Sequence, residues 1–176
     1  VPKSIDMHGY ITIRGELIMS NSKFATEWAN EFANPRNMVA GVFNRKETSD
    51  AINDIDFIAY QIVDADETNI KDSQKEDLEH LNGLGFKVVE HTMYEAGTLD
   101  DASLSNILST ARSVSDYELD GIVITINEKE NRKNLSRSSS LNPEHSVKYK
   151  VLDVDSVVKA KVVKVHWELS KHGYFK

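Results

Sequence analysis

Two lysines stand two residues apart in Val147-Lys148-Tyr149-Lys150-Val151. On a strand their ammonium groups share one face, while Val147, Tyr149 and Val151 share the other. Cations held that way suit a phosphate or carboxylate between them, and the alternative is a solvated edge strand. Two carboxylates, Glu16 and Asp120, each adjoin a glycine, which admits close approach by a ligand or by another stretch of backbone. As a pair they would hold a divalent cation on oxygen; otherwise each pairs with a nearby arginine or caps a turn. In Asn34-Pro35-Arg36-Asn37 the proline sets a bend, and two amides flank a guanidinium whose fork matches phosphate. The plain alternative there is a polar turn capping a helix. Tyr60, in Asp56-Phe57-Ile58-Ala59-Tyr60, offers a ring to stack on a base or simply belongs to the core.

The elements that must position these groups follow from periodicity. Tyr10 to Met19 alternates as a strand, with Ile11, Ile13, Leu17 and Met19 on one face and Thr12, Arg14 and Glu16 on the other. Arg14 and Glu16 are then expected to point the same way. Ser20 to Phe32 reads as one helix, with Phe24, Trp28 and Phe32 at four-residue steps, and it ends at Asn34-Pro35. Ile55 to Val63 is expected as a strand buried on both faces. Ser73-x-x-Glu76 is a capping-box start for a helix that stops near Gly83 and Gly85. Phe86 to Val89 reads as strand, Leu104 to Ala111 as helix, and Leu119 to Asn127 as strand entered through Asp120-Gly121. The polar stretch from Asn127 to His145 reads as a long mobile loop carrying Lys129, Arg132, Lys133 and Arg137. Val147 to Val151 and the valine-rich run Val157 to Leu169 read as strands. There is no internal repeat, and the mixture with irregular connections predicts an α+β fold with antiparallel pairing.

A chain of 176 residues, 40% apolar and 28% charged, suits one domain or slightly more with its own core. Its net charge of −7 argues against nucleic-acid binding over the whole surface, though not against a local basic groove. With no cysteine, disulfides and thiolate zinc sites are excluded within the chain. No long apolar run or signal-like start appears, so the expected setting is soluble and cytoplasmic, without a membrane partner, in a bacterium or as a phage or viral protein acting inside a cell.

In order along the chain, Arg14-Gly15-Glu16, Asn34-Pro35-Arg36-Asn37-x-x-x-Gly41, the aromatic strand at Tyr60, Asp120-Gly121-Ile122-Val123 and Tyr149-Lys150 resemble the adenylation domain of DNA ligases. The NAD-dependent bacterial type is the most similar. The resemblance runs from about Tyr10 to Lys150, and Asn-Pro-Arg-Asn is its most specific part, disfavouring the RNA ligases and mRNA capping enzymes that share the fold. Three departures stand out: Thr125 occupies a position usually held by lysine, Arg45 comes one residue later than usual, and Lys148-Tyr149-Lys150 has a form commoner in ATP-dependent ligases. ATP is therefore the alternative to NAD.

The resemblance implies a partial antiparallel-sheet nucleotidyltransferase fold, the ATP-grasp-like fold of ligase adenylation domains, over residues 1–152. Residues 153–176 would be a linker and the first strand of an OB-fold. It implies that Glu16 binds the adenylate ribose or a magnesium ion, with Asp120 on the metal or lysine side of the pocket. Arg36 would contact the nucleotide and the phosphate of nicked double-stranded DNA, and Tyr60 would stack on adenine. Arg14 and Asn34 complete the cofactor-binding set. Lys150, with Lys148, would hold the adenylate phosphate and stabilise charge as the leaving group departs, which with Arg36 makes the catalytic set. No Lys-x-Asp-Gly occurs in the sequence, and in this family that motif carries the nucleophile of the lysyl-AMP step. The expectation is a ligase portion completed by an upstream segment or subunit that bears the lysine, and inactive in self-adenylation alone. The competing expectation is a non-catalytic nucleic-acid-binding or scaffold subunit that keeps the fold.

Overall fold

A computed structural model describes residues 1–45, 49–135, 144–151 and 159–175. Strand β1 (Ile11–Ile18) pairs antiparallel with β2 (Asp56–Ala65), from Ile11 opposite Ala65 to Ile18 opposite Asp56. The short strand β3 (Lys87–Val88) joins the other edge of β2 in parallel, completing a sheet of order β1-β2-β3. A separate antiparallel ribbon is formed by β4 (Ile122–Thr125) and β5 (Ser146–Tyr149). Helices α1 (Asn21–Lys23), α2 (Pro35–Phe43), α3 (Gln74–Gly83), α4 (Asp101–Val114) and α5 (Lys129–Leu135) connect and flank them. The α+β expectation is met, and antiparallel pairing holds in both sheets apart from β3.

Two apolar clusters hold this together. Ala59, Ile62 and Ala65 of β2 pack with Leu81 of α3 and Phe86, and Ile11, Ile13, Phe57 and Val88 close around them. Met19, Met38, Val42 and Ala51 form the second, beneath Phe24, Trp28 and Phe32. Ser73 caps α3 as expected, with Glu76 N donating to Ser73 Oγ at 3.2 Å, and the Ser73 hydroxyl, in place of its backbone amide, donates to Glu76 Oε2 at 3.0 Å.

Several expectations need correction. Pairing between β1 and β2 is irregular: register shifts fall opposite Thr12/Ile13 and Arg14/Gly15, where β2 inserts Val63 and Tyr60 as unpaired residues. Leu17 is exposed, while Met19, just past the end of β1, is buried. Strand β2 is buried on one side only, since Tyr60 and Val63 face outward. The stretch from Ser20 to Phe32 is not one α-helix. After α1 the chain widens into a π-helical turn over Phe24–Trp28, closed by Ala29 N donating to Phe24 O. Asp54 there accepts from Trp28 Nε1 at 3.1 Å and pairs with Lys23 at 2.7 Å.

The polar stretch after Asn127 is helical over α5, whose Arg132 pairs with buried Asp77 of α3 at 3.4 Å. Tethering and good helix formers outweigh the polarity that suggested a loop. Residues 136–143, including Arg137, lie outside the described residues, as do Val157, Val158 and the boundary expected at 152–153. The strand expected from Val157 to Leu169 is not formed where it is described. Residues 159–168 carry no ladder, and a single bridge joins Leu169 to Phe175 across a turn. Valine-rich alternation makes a strand only when an edge is available to receive its backbone hydrogen bonds. Among the described residues, no helix is long and apolar enough to cross a membrane.

Candidate functional site

The Asn34-Pro35-Arg36 turn is a helix start. Asn34 adopts extended backbone and its Oδ1 accepts from Asn37 N at 2.8 Å, while Pro35 occupies the first turn of α2. The capping alternative is therefore realised at Asn34, and its effect is to place Arg36 at an open helix N-terminus. From there the guanidinium reaches Asp120, with Nη2 3.0 Å from Oδ1.

Asp120 is the residue on which the sequence motifs converge. Across the ribbon, Val123 faces Lys148 and Ile122 faces Tyr149. Lys150 Nζ comes to 3.7 Å and Lys148 Nζ to 4.0 Å from Asp120 Oδ2. The face-sharing expected of the two lysines is thus seen as a common carboxylate. Arg36's hydrogen bond holds the Asp120 carboxyl below the usual carboxylate range; desolvation opposes this, and the charges of Arg36, Lys150 and Lys148 assist. Reciprocally, the hydrogen bond and charge of Asp120 raise Arg36 further, with Glu16 and Glu118 adding to the field.

Magnitudes separate stability from function here. The side chains of Arg36, Lys148, Lys150 and Asp120 are 66%, 46%, 55% and 41% exposed. Exposed ion pairs contribute about 0–1 kcal/mol each, so the cluster does little for folding. Three cations share the Asp120 carboxylate on an open surface, with Glu16 and Glu118 also in the field of Arg36. Cations gathered on such a surface suit a phosphate-bearing ligand. Among the described residues no group of three or more His, Cys, Asp or Glu could hold a metal.

The glycines beside the two carboxylates serve backbone packing. A Cβ at Gly121 would overlap the Tyr149 carbonyl oxygen, and one at Gly15 would overlap the Phe57 ring and the Ile58 carbonyl. Of the two roles open to them, close approach of another strand is the one seen. Arg14 Nη1 donates to Gln61 Oε1 at 3.2 Å, whereas Glu16 lies in the field of Arg36. Tyr60 is 38% exposed on β2, outside the core, and its carbonyl accepts from Gln74 Nε2 at 2.7 Å. Among the described residues, no hydrogen bond or ion pair joins Arg14, Asn34 or Tyr60 to the Asp120 cluster. Thr125 hydrogen-bonds Ser146 across the ribbon at 2.6 Å, and Arg45 lies over the Phe32 ring at 5.5 Å. A cleft of about 100 Å³ opens beside β4, lined by Val123, Thr125, Lys75 and His91 among others. It is smaller than clefts that enclose whole nucleotides.

Sequence reading passed over the residues bonded to the connector that leads into β4. Arg112 Nε donates to the Leu119 carbonyl at 3.0 Å and its Nη2 to the Asp120 carbonyl at 3.4 Å. Tyr117 donates to Asp56 Oδ2 at 2.8 Å, and Asp116 Oδ1 accepts from Ser22 N at 2.9 Å. An arginine bonded to backbone carbonyls leaves no motif in sequence.

Residues 1–153 match the NAD-dependent DNA ligase adenylation domain family. The chain belongs to that family. Among its relatives are a DNA ligase of Acanthamoeba polyphaga mimivirus, 37% identical over 93% of this chain and 24% of the relative. A putative DNA ligase of Invertebrate iridescent virus 6 is 32% identical over 94% of this chain and 26% of its own length. A DNA ligase of Wolbachia pipientis (strain wPip) is 31% identical over 96% of this chain and 25% of its own length. The chain thus spans about a quarter of the curated relatives it matches. All five motif blocks fall inside the matched segment.

Proposed function

We propose that this chain forms the phosphate-binding wall of an NAD-dependent DNA ligase, acting in the sealing of 5′-phosphate/3′-hydroxyl nicks in double-stranded DNA. The observation that carries the reading is the convergence of Arg36, Lys148 and Lys150 on Asp120, on an exposed surface within the family segment. NAD, with ATP as the alternative, would supply the adenylyl group, and a Lys-x-Asp-Gly segment outside these residues would supply the nucleophile. Arg36, Lys148 and Lys150 would hold the phosphates and offset the negative charge that grows as the leaving group departs. Glu16, beside Arg36, would take the ribose, Tyr60 the adenine face, and Arg14 and Asn34 the rim of the pocket. The roles of Glu16, Tyr60, Arg14 and Asn34 rest on the motif alignment, and that of the Asp120 cluster on alignment and charge together.

The test uses NAD and ATP labelled in the adenylyl group. The isolated chain should form no covalent adduct. Adding a segment that carries Lys-x-Asp-Gly should place label on that segment, from NAD in preference to ATP. Strong self-labelling of the isolated chain would overturn the division of labour. No label in any combination, alongside retained binding of nicked duplex, would favour the non-catalytic nucleic-acid-binding reading.

A further inference from the structure

The connector from Ser115 to Gly121 leads from α4 into β4 and carries Asp120. It is irregular, yet Asp116 is tied to α1, Tyr117 to β2, and Leu119 and Asp120 to α4. Asp116 receives the Ser22 amide and hydroxyl through its two carboxylate oxygens, and its carbonyl accepts from Asn21 N at 2.6 Å. Tyr117 donates to Asp56 at the start of β2, and the other oxygen of Asp56 pairs with Lys87 of β3. Arg112, in the last turn of α4, spans the carbonyls of Leu119 and Asp120. Among the described residues Arg112 makes no ion pair. A guanidinium that could have taken a carboxylate instead spends its fork on two consecutive backbone oxygens, fixing the peptide planes on either side of the Asp120 α-carbon.

We propose that Arg112 and Tyr117 are positioning residues that lock this connector so that the Asp120 carboxylate stands between Arg36 and the lysine pair. The two ties act from opposite sides. Arg112 holds the backbone immediately at Asp120 to α4, and Tyr117 holds the approach to the β1-β2-β3 sheet. The Asp120 side chain is 41% exposed and meets charged rather than apolar neighbours, so hydrogen bonds to the connector take the place of packing in aiming it. The role follows from the geometry of the cluster; only its consequence for ligand binding rests on the phosphate-site reading.

The test follows the Arg36 side-chain Nε–H resonance in nitrogen-15-labelled chain, with Asp120→Asn marking the signal of Arg36 without its carboxylate. Tyr117→Phe and Arg112→Gln are each expected to move the Arg36 signal toward that reference while the Ala59, Ile62 and Leu81 amide signals stay in place. Arg112→Lys, which keeps the charge and can reach one carbonyl, should move it less. Titration with inorganic pyrophosphate should show affinity weakened by about threefold to fivefold in Arg112→Gln, the scale of an exposed ion pair. An unmoved Arg36 signal in both variants would overturn the proposal, and so would movement shared equally with the core amides, since that reports general loosening. If wild-type chain ignores pyrophosphate, the phosphate-site reading falls and the Arg36 signal still decides the positioning role. Should Arg112→Gln fail to fold, Tyr117→Phe, which removes one hydroxyl, carries the decision.

Discussion

The β1-β2-β3 sheet and the β4-β5 ribbon are held in place by different forces. The sheet buries Ala59 and Ile62 under Leu81 and Phe86, so its geometry follows from close packing. The ribbon buries none of its residues fully, leaving Val123 63% and Val147 65% exposed. It is fastened by polar ties: Asn127 to the first amides of α3, Arg132 to Asp77, and the connector to Ser22, Asp56 and Arg112. Packing tolerates small losses by relaxing, whereas a hydrogen-bonded seam depends on individual atoms. The candidate site lies on the second kind of region, where charge can stay exposed to a ligand.

The sharpest way to break this contrast is at the seam between the two regions. Asp77→Ala removes the buried carboxylate facing Arg132, and loss of one partner of such a pair costs about 3–5 kcal/mol, measurable by urea unfolding. Burial pushes the Asp77 carboxyl up, against the Lys71 amide and Arg132 that pull it down, so the charge itself is poorly repaid. Asp77→Asn, which keeps an acceptor, should therefore lose less than Asp77→Ala. Equal losses would show that charge, not the hydrogen bonds, holds the seam.

Next in size is Leu81→Ala, at a fully buried position, expected to cost about 2–5 kcal/mol in the same assay. Its native state should still bind pyrophosphate with nearly wild-type affinity, because the Asp120 cluster does not lean on that core. Gly121→Ala should do the reverse. The added methyl meets the Tyr149 carbonyl, so the ribbon must shift at a cost of about 1–3 kcal/mol, and pyrophosphate binding should fall more than stability does. Intact binding in Gly121→Ala would show that Lys148 and Lys150 need no fixed register.

The smallest effect is alkaline. Burial and the bond to Asp56 push the Tyr117 hydroxyl up from 10.0 to about 12. The folded chain thus holds this proton more tightly than the unfolded chain. Its contribution is complete below pH 10 and is lost as pH rises toward about 12. Tyr117→Phe should remove this component of alkaline destabilisation; an unchanged profile would place the loss on another group.

Much of this was legible along the chain because it is local. The Asn34 cap, the Ser73 cap, the start of β1 and the convergence expected of Lys148 and Lys150 each depend on residues within a few positions of one another. The two register shifts between β1 and β2 were not legible, since register is set by the partner strand, and they leave Val63 and Tyr60 of β2 without partners on β1. Helix α5 was hidden by a polar composition that its tether to Asp77 overrides. The run after residue 158 shows the opposite error, as strand-like alternation found no partner among the described residues.

Sequence alone determined the family, the absence of cysteine chemistry and the order of the motif blocks. Tertiary structure alone decided that Asp120 gathers Arg36, Lys148 and Lys150, that the motif glycines make room for neighbouring strands, and that Arg112 and Tyr117 secure the connector. The reason is range. Caps and alternation are written in neighbouring residues, but a carboxylate meets cations dozens of positions away only after two sheets have been joined.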